Sequence, residues 1–266
     1  MAIVPVAVSP VAPGRRRRAW VFLVIAAALV VLIVGVIIAD AAAKAYARDQ
    51  IRTQLLSALG LPASTDVLVD VGSDSILFQA LSGSLSTVDV RLSDLTFGDL
   101  VGTAYVHATS VPIDTHKPVK TLEIDYVVTE ANLAALAKNL SGLDVTAVTL
   151  EKSEIVAASS ITILGATVPV SLGLVPTVAD GRLVFTPADI RVGGQTFTAA
   201  QLSANPLFGS LARTLLRQQS LCVAQYLPKA LTATVVQIAN GTLSVGFSGD
   251  GTALGGPDFR TKGSCS

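Results

Sequence analysis

Residues 19–39 form an unbroken apolar run directly behind four consecutive arginines, Arg15, Arg16, Arg17 and Arg18. No other feature so narrows what the chain can fold into. As a helix rising ~1.5 Å per residue, such a run is ~31 Å long, which matches the hydrocarbon core of a bilayer. Fourteen of its 21 residues are Val, Ile, Leu or Phe. At ~0.3–0.6 kcal/mol favourable each, they favour insertion by ~4 kcal/mol or more. Charge-free runs of this length are rare in the cores of soluble domains, so the sequence predicts a transmembrane helix over 19–39.

The arginines predict its orientation, because Lys and Arg next to a span stay in the cytoplasm. The far end begins with Asp40 and carries only the scattered Lys44, Arg48 and Arg52. The expected division is a cytoplasmic basic tail (1–18), a signal-anchor helix (19–39) and an extracytoplasmic domain (40–266). The tail holds Pro5, Pro10, Pro13 and Gly14 and is expected to be disordered. Trp20 sits where an interfacial belt residue belongs. A cleaved signal peptide is the competing expectation, since the small residues at 39–43 suit a peptidase. Its apolar core, however, is normally shorter than this run.

Beyond the arginines the chain has 15 basic and 19 acidic residues. That balance argues against a nucleic-acid partner, which demands a basic surface. Charged residues make up only 14% of the chain, so it can bury a large apolar surface. There are two cysteines, Cys222 and Cys265. An extracytoplasmic compartment permits a disulfide between them, which would pin the C-terminal tail back onto the chain; two unpaired thiols are the alternative.

Residues 40–59 keep a helical pattern, with Gly60 and Pro62 as stop signals. Ala47, Ile51, Leu55 and Ala58 or Leu59 make an apolar stripe, while Lys44, Arg48 and Arg52 recur every four residues on another face. The basic stripe suits either contact with anionic headgroups at a membrane surface or a plain solvated helix face. Period-two alternation then predicts half-buried strands at 66–71, 87–92 and 121–128, followed by a short helix over 130–140 capped by Thr129. Further strands are expected at 104–108, 145–150, 154–163 and 168–175. Asp180-Gly181 and Asn240-Gly241 are hairpin signals, the second joining strands 234–239 and 242–247. Asn205-Pro206 opens an expected helix to about Gln219. Strands and helices do not alternate regularly, so the expected class is α+β with long antiparallel strands rather than a parallel α/β sheet.

No catalytic constellation stands out. His107 and His116 are the only imidazoles, and no Gly-x-Ser-x-Gly elbow accompanies them. A hydrolase using either histidine is the weakest alternative. No His, Cys or carboxylate spacing suggests a metal site, and no glycine-rich loop suggests a nucleotide or other cofactor. The regularly spaced Asp89, Asp94 and Asp99 are explained by turns and surface. Asn139-Leu140-Ser141 and Asn240-Gly241-Thr242 match the glycosylation acceptor pattern, which arises often by chance. Binding is then the default. A charge-poor, strand-rich domain on a membrane tether suggests an apolar ligand held against inward side chains. The same pattern also suits a dry core.

Several segments carry a family resemblance. They are Phe78-Gln79-Ala80-Leu81-Ser82-Gly83 with the following Val90-Arg91-Leu92, then Tyr126-Val127-Val128-Thr129-Glu130-Ala131-Asn132-Leu133, and Cys222-Val223-Ala224-Gln225-Tyr226-Leu227-Pro228. With the apolar run and the helix after it, the chain resembles the LmeA-like phospholipid-binding proteins of the actinobacterial cell envelope over roughly residues 40–265. The resemblance implies a fold like the tubular lipid-binding superfamily, a long curved antiparallel sheet wrapped around helices. It implies a phospholipid ligand of the phosphatidylinositol type, work in envelope lipid or lipoglycan assembly, and Cys222 and Cys265 as the family's paired cysteines. It transfers no catalytic residues. Membrane, phospholipid and envelope biosynthetic enzymes are thus the expected partners. From alternation alone, Leu122, Ile124, Tyr126, Val236, Ile238, Leu243 and Val245 are the expected lipid contacts, and a one-residue slip would turn every one of them outward. The competing expectation is a non-catalytic scaffold for an envelope enzyme, with a dry core.

Overall fold

A computed structural model describes residues 15–59, 61–97, 100–133, 145–163, 166–198, 201 and 219–265, with side-chain surroundings from residue 29 onward. The chain falls into two compact units, 1–46 and 47–266. A helix, α1 (Arg15–Leu59), ends just before Gly60. Its stretch Leu29–Ser57 is long and apolar enough, by length and composition, to cross a membrane, and its most apolar window is 0% buried.

In the second unit, α1 contributes Leu56 to the core, with Ile51 and Leu55 packed beside it. The apolar stripe thus runs through Leu56, while Leu59 is exposed. The class is α+β, built on two antiparallel sheets. The first sheet comprises β1 (Val67–Asp70), β2 (Ser84–Phe97), β3 (Leu100–Pro112), β4 (Thr121–Thr129), β11 (Thr232–Ala239) and β12 (Thr242–Ser248), in the order β1-β2-β3-β4-β12-β11. The second comprises β5 (Ala147–Glu151), β6 (Glu154–Ile163), β7 (Ala166–Ala179), β8 (Arg182–Val192), β9 (Gln195–Thr198) and β10 (Gln219–Cys222). Its order is β10-β8-β7-β6-β5, with β9 also paired to β8. Three short helices complete the described chain: α2 (Ile76–Ser82), α3 (Glu130–Leu133) and α4 (Pro257–Arg260).

The alternation translates directly into register. Across the first sheet Val67, Leu92, Ala104, Tyr126, Val245 and Val236 stand opposite one another in a single row. The next row holds Val69, Val90, Val106, Ile124, Phe247 and Ala233. Two irregularities keep this apolar face continuous. Between Leu92 and Leu95 β2 carries an extra residue, with Asp94 at φ 54°, so the inward positions change from even to odd. A second shift between Ala233 and Val235 reverses parity in β11 and turns Val236 and Ile238 inward. The hairpins at Asp180-Gly181 and Asn240-Gly241 place both central residues at positive φ, the conformation for which those residue pairs are suited.

The inner faces of both sheets enter one apolar core. It joins Val90, Leu92, Val128, Leu243, Val245 and Phe247 of the first sheet to Val148, Ile155, Val170, Leu172, Leu174 and Ile190 of the second. At one end of the first sheet a smaller cluster of Ala108, Val119 and Leu122 packs with Leu231 and Phe259. The helix over 130–140 begins where expected, but 134–140 lie outside the described residues. So do 202–218, most of the expected helix from Asn205, and Gln219 belongs instead to β10, paired with Phe185. Asn139 also lies outside, while Asn240 occupies the β11–β12 turn.

Candidate functional site

The candidate site is the pair of apolar inner faces and the joints that hold them. All seven residues expected from alternation stand on the inner face of the first sheet. Tyr126, Leu243 and Val245 are buried in the main core, whereas Ile124, Val236 and Ile238 are half-buried against it. Leu122 stands apart, in the smaller cluster.

Tyr126 does more than line a wall. Its hydroxyl lies 2.9 Å from the Leu95 carbonyl oxygen and 3.0 Å from that of Leu100, tying β4 to the bulged end of the β2–β3 pair. Gly102 makes room for the ring: a Cβ there would fall 2.8 Å from Tyr126 Cζ and 2.6 Å from the Val127 carbonyl oxygen. Beyond β4, α3 is a joint between sheets. The Leu150 N–H of β5 donates to Glu130 Oε2 at 2.8 Å, and Asn132 Nδ2 donates to the Val101 carbonyl of β3 at 2.8 Å. Leu133 is 0% exposed between them. The Tyr126–Leu133 segment that carries part of the resemblance is therefore a set of fasteners.

The opposing wall comes from the second sheet, and sequence reasoning did not assign it to the site. Leu172 and Ile190 are buried there; Leu150, Phe185, Val192 and Phe197 pack half-buried against the same core. The alternation of Leu172 and Leu174 was the available signal, but no local pattern says that two separate sheets face each other. β11 also lies against β7, so the half-buried Val236 and Ile238 sit where the sheets approach.

The second signature segment closes the structure. Cys222 and Cys265 form a disulfide with Cα atoms 5.9 Å apart. Between Cys222 and Pro228 the chain buries Val223 and Leu227 around a short 3-10 turn, Ala224–Tyr226. Pro228 pairs with Lys262, which lays the C-terminal segment across this turn.

The basic stripe meets protein groups. Lys44 pairs with Asp40 at 3.4 Å and Arg48 with Asp70 at 3.7 Å; Arg52 donates to the Ala63 and Thr65 carbonyls at 2.9 and 3.3 Å. His107 Nδ1 lies 2.6 Å from Asp89 Oδ1 on the outer face of the first sheet, beside Arg91, whose guanidinium lies 5.6 Å from the centre of the Tyr105 ring. This pair shares a shallow depression with Leu68 and Asp125. On the outer face of the second sheet Arg191 bridges Glu151 at 2.8 Å and Asp189 at 3.4 Å. The hydrogen bond to Glu151 raises the Arg191 pKa above its ordinary value. Among the described residues no group of three or more His, Cys, Asp or Glu gathers to hold a metal ion.

A family model described as LmeA-like phospholipid-binding matches residues 38–248. The chain matches no curated protein and no solved structure.

Proposed function

Because the chain belongs to the LmeA-like phospholipid-binding family, we propose that it is a membrane-anchored phospholipid carrier or presenter whose acyl chain lies between the two inner faces. The run at 19–39 is the anchor, the basic cluster at 15–18 keeps the N-terminus in the cytoplasm, and the second unit works on the other side. One observation supports this most: a family defined by phospholipid binding coincides with two facing apolar walls that are not fully closed. Ile124, Val236 and Ile238 from one sheet and Phe185, Val192 and Phe197 from the other are inward yet only half-buried. Acyl chains need such a wall and no catalytic group.

In this reading the headgroup is of the phosphatidylinositol type and the task is envelope lipid or lipoglycan assembly, alongside envelope biosynthetic enzymes. The half-buried residues bind the acyl chain, and Tyr126 with α3 keeps the walls in place. Lys44, Arg48 and Arg52 border the membrane surface, their ion pairs and hydrogen bonds setting where the helix meets it.

The test is photo-crosslinking with a phospholipid that carries a diazirine in its acyl chain, on the full protein in membranes, with adducts mapped by mass spectrometry. Adducts are expected on β4, β11 and β12 and on the inner face of β7 and β8, and Ile238→Glu should abolish them. Adducts confined to 19–39, together with one dominant protein crosslink, would replace this proposal with a scaffold that has a dry core.

A further inference from the structure

We propose that α2 and the neighbouring β3–β4 corner form a second membrane contact, an apolar tip that seats in the headgroup–acyl boundary of a phospholipid bilayer. This rests on the anchored reading above. Within α2, Ile76 and Gln79 turn inward while Phe78 and Leu81, one turn apart, are 72% and 84% exposed. Leu77 is exposed beside them, and Ile113, 55% exposed, is held close because its N–H donates to the Gly83 carbonyl at 3.0 Å. Single exposed apolar residues are ordinary, but three large ones on one short helix, with a fourth hydrogen-bonded to the end of that helix, are the mark of an interaction surface.

The tip is also built to be rigid. Gln79 is buried, its Oε1 accepting the Ser86 N–H at 2.7 Å and its Nε2 donating to the Asp74 carbonyl at 3.3 Å. Ser82 Oγ donates to the Gln79 carbonyl at 2.8 Å, and Gly83, at φ 78°, ends the helix with its N–H on the Ala80 carbonyl. These bonds hold Phe78 and Leu81 away from the core and leave them no way to fold back onto it.

A bilayer is the occupant that chain connectivity selects. The second unit begins at Ala47, and its Arg48 pairs with Asp70, the last residue of β1. Asp70 Oδ1 accepts the Gly72 N–H at 2.9 Å, four residues before α2. Asp70 stands opposite Asp89, so the chain joins this unit five residues along β2 from its start, and the start of β2 is the end that carries the tip. The apolar run stops at Ala39, and the eight residue steps to Ala47 reach at most ~28 Å even fully extended. A bilayer that holds the run is then the surface to which this unit is tethered. The β11–β12 turn lies at the other end of the sheet, ~27 Å from the start of β4 at 3.4 Å per residue. Exposed Lys117 and Lys120 on the same corner suit lipid phosphates, as the basic flank of an interfacial apolar patch does. Docking here also brings Leu85, half-buried on the first turn of β2, next to the lipid source.

The experiment uses the full chain in vesicles of phosphatidylcholine and phosphatidylglycerol, with a polarity-sensitive fluorophore on Leu81→Cys. The native cysteines are joined to each other, so the label has one site. Blue-shifted emission quenched by spin-labelled lipids is expected there, with water-like, unquenched emission from Ala239→Cys at the opposite end. Water-like emission at 81 overturns the proposal. So does a blue shift that lipid-borne quenchers leave untouched, because a second copy or another protein then covers the tip. Phe78→Asp combined with Leu81→Asp should fold normally and slow loading of the photoactivatable lipid several-fold; unchanged loading also overturns it. Loss of interior adducts with quenching at 81 intact strikes the lipid-binding reading alone, and the reverse pattern strikes the tip alone.

Discussion

Two short helices sit at opposite ends of the first sheet, and each is fastened through polar side chains. Glu130 fastens α3 through the N–H of Leu150, and Gln79 fastens α2 through the N–H of Ser86. The outcomes are opposite. α3 uses its anchor to bury Leu133 completely between the sheets, and α2 uses its anchor to hold Leu81 out in solvent. The same device, a side-chain acceptor that satisfies a strand amide, serves a joint in one place and a display in the other. A leucine's worth to the fold is thus set by what its helix is fastened against, and helix propensity plays little part.

The contrast can be broken most sharply at the leucines themselves. Leu133→Ala removes a fully buried side chain from between the sheets and should cost about 2–5 kcal/mol, read as a lower denaturant midpoint by circular dichroism. Glu130→Ala leaves the Leu150 N–H without its charged acceptor, and about 1.5–3 kcal/mol should be lost, with faster hydrogen exchange along β5. Gln79→Ala orphans the Ser86 amide and should cost about 1–3 kcal/mol; exchange should quicken in α2 and the start of β2 while β5 stays protected. Leu81→Ser should shift stability by no more than about 0.5 kcal/mol, because the side chain it replaces touches mostly water. A Leu81→Ser loss comparable to that of Leu133→Ala would show that α2 is packed after all and would remove the contrast.

Much of the fold was legible because strands write themselves in a period of two. Val88, Val90 and Leu92, then Leu122, Ile124, Tyr126 and Val128, each mark one face of a strand, and Asp-Gly and Asn-Gly name their turns through the conformations those residues tolerate. The bulges were not legible. An extra residue at Asp94 leaves no mark in composition, yet it decides which side Leu95 faces. α2 was invisible as a helix, since seven residues that send Ile76 inward and Leu77 and Phe78 outward show no apolar stripe. Gln219 read as a helix end because the helical pattern before it runs on without a stop signal, and pairing with β8 overrides that local preference. Of the two inner faces, positions on one could be marked in advance and those on the other could not. Alternation selects a face, but only tertiary structure brings Leu172 and Ile190 into one core with Val245. The partners of Arg48 and Arg52 were likewise out of reach, because they lie beyond the helix.

β12 lies between β4 and β11 in the first sheet, although it is made after the whole second sheet. Until Ser248 has emerged to meet Glu123, the long edge of β4 stands bare, with its amides and carbonyls open to any strand that comes by. A chain made from its N-terminus must therefore hold its first strands unsealed until the last hairpin arrives. Pairings this distant in sequence also form slowly. Any truncation that spares the disulfide-free portion but removes the last hairpin should yield a protein that associates with itself rather than one that merely lacks a tail.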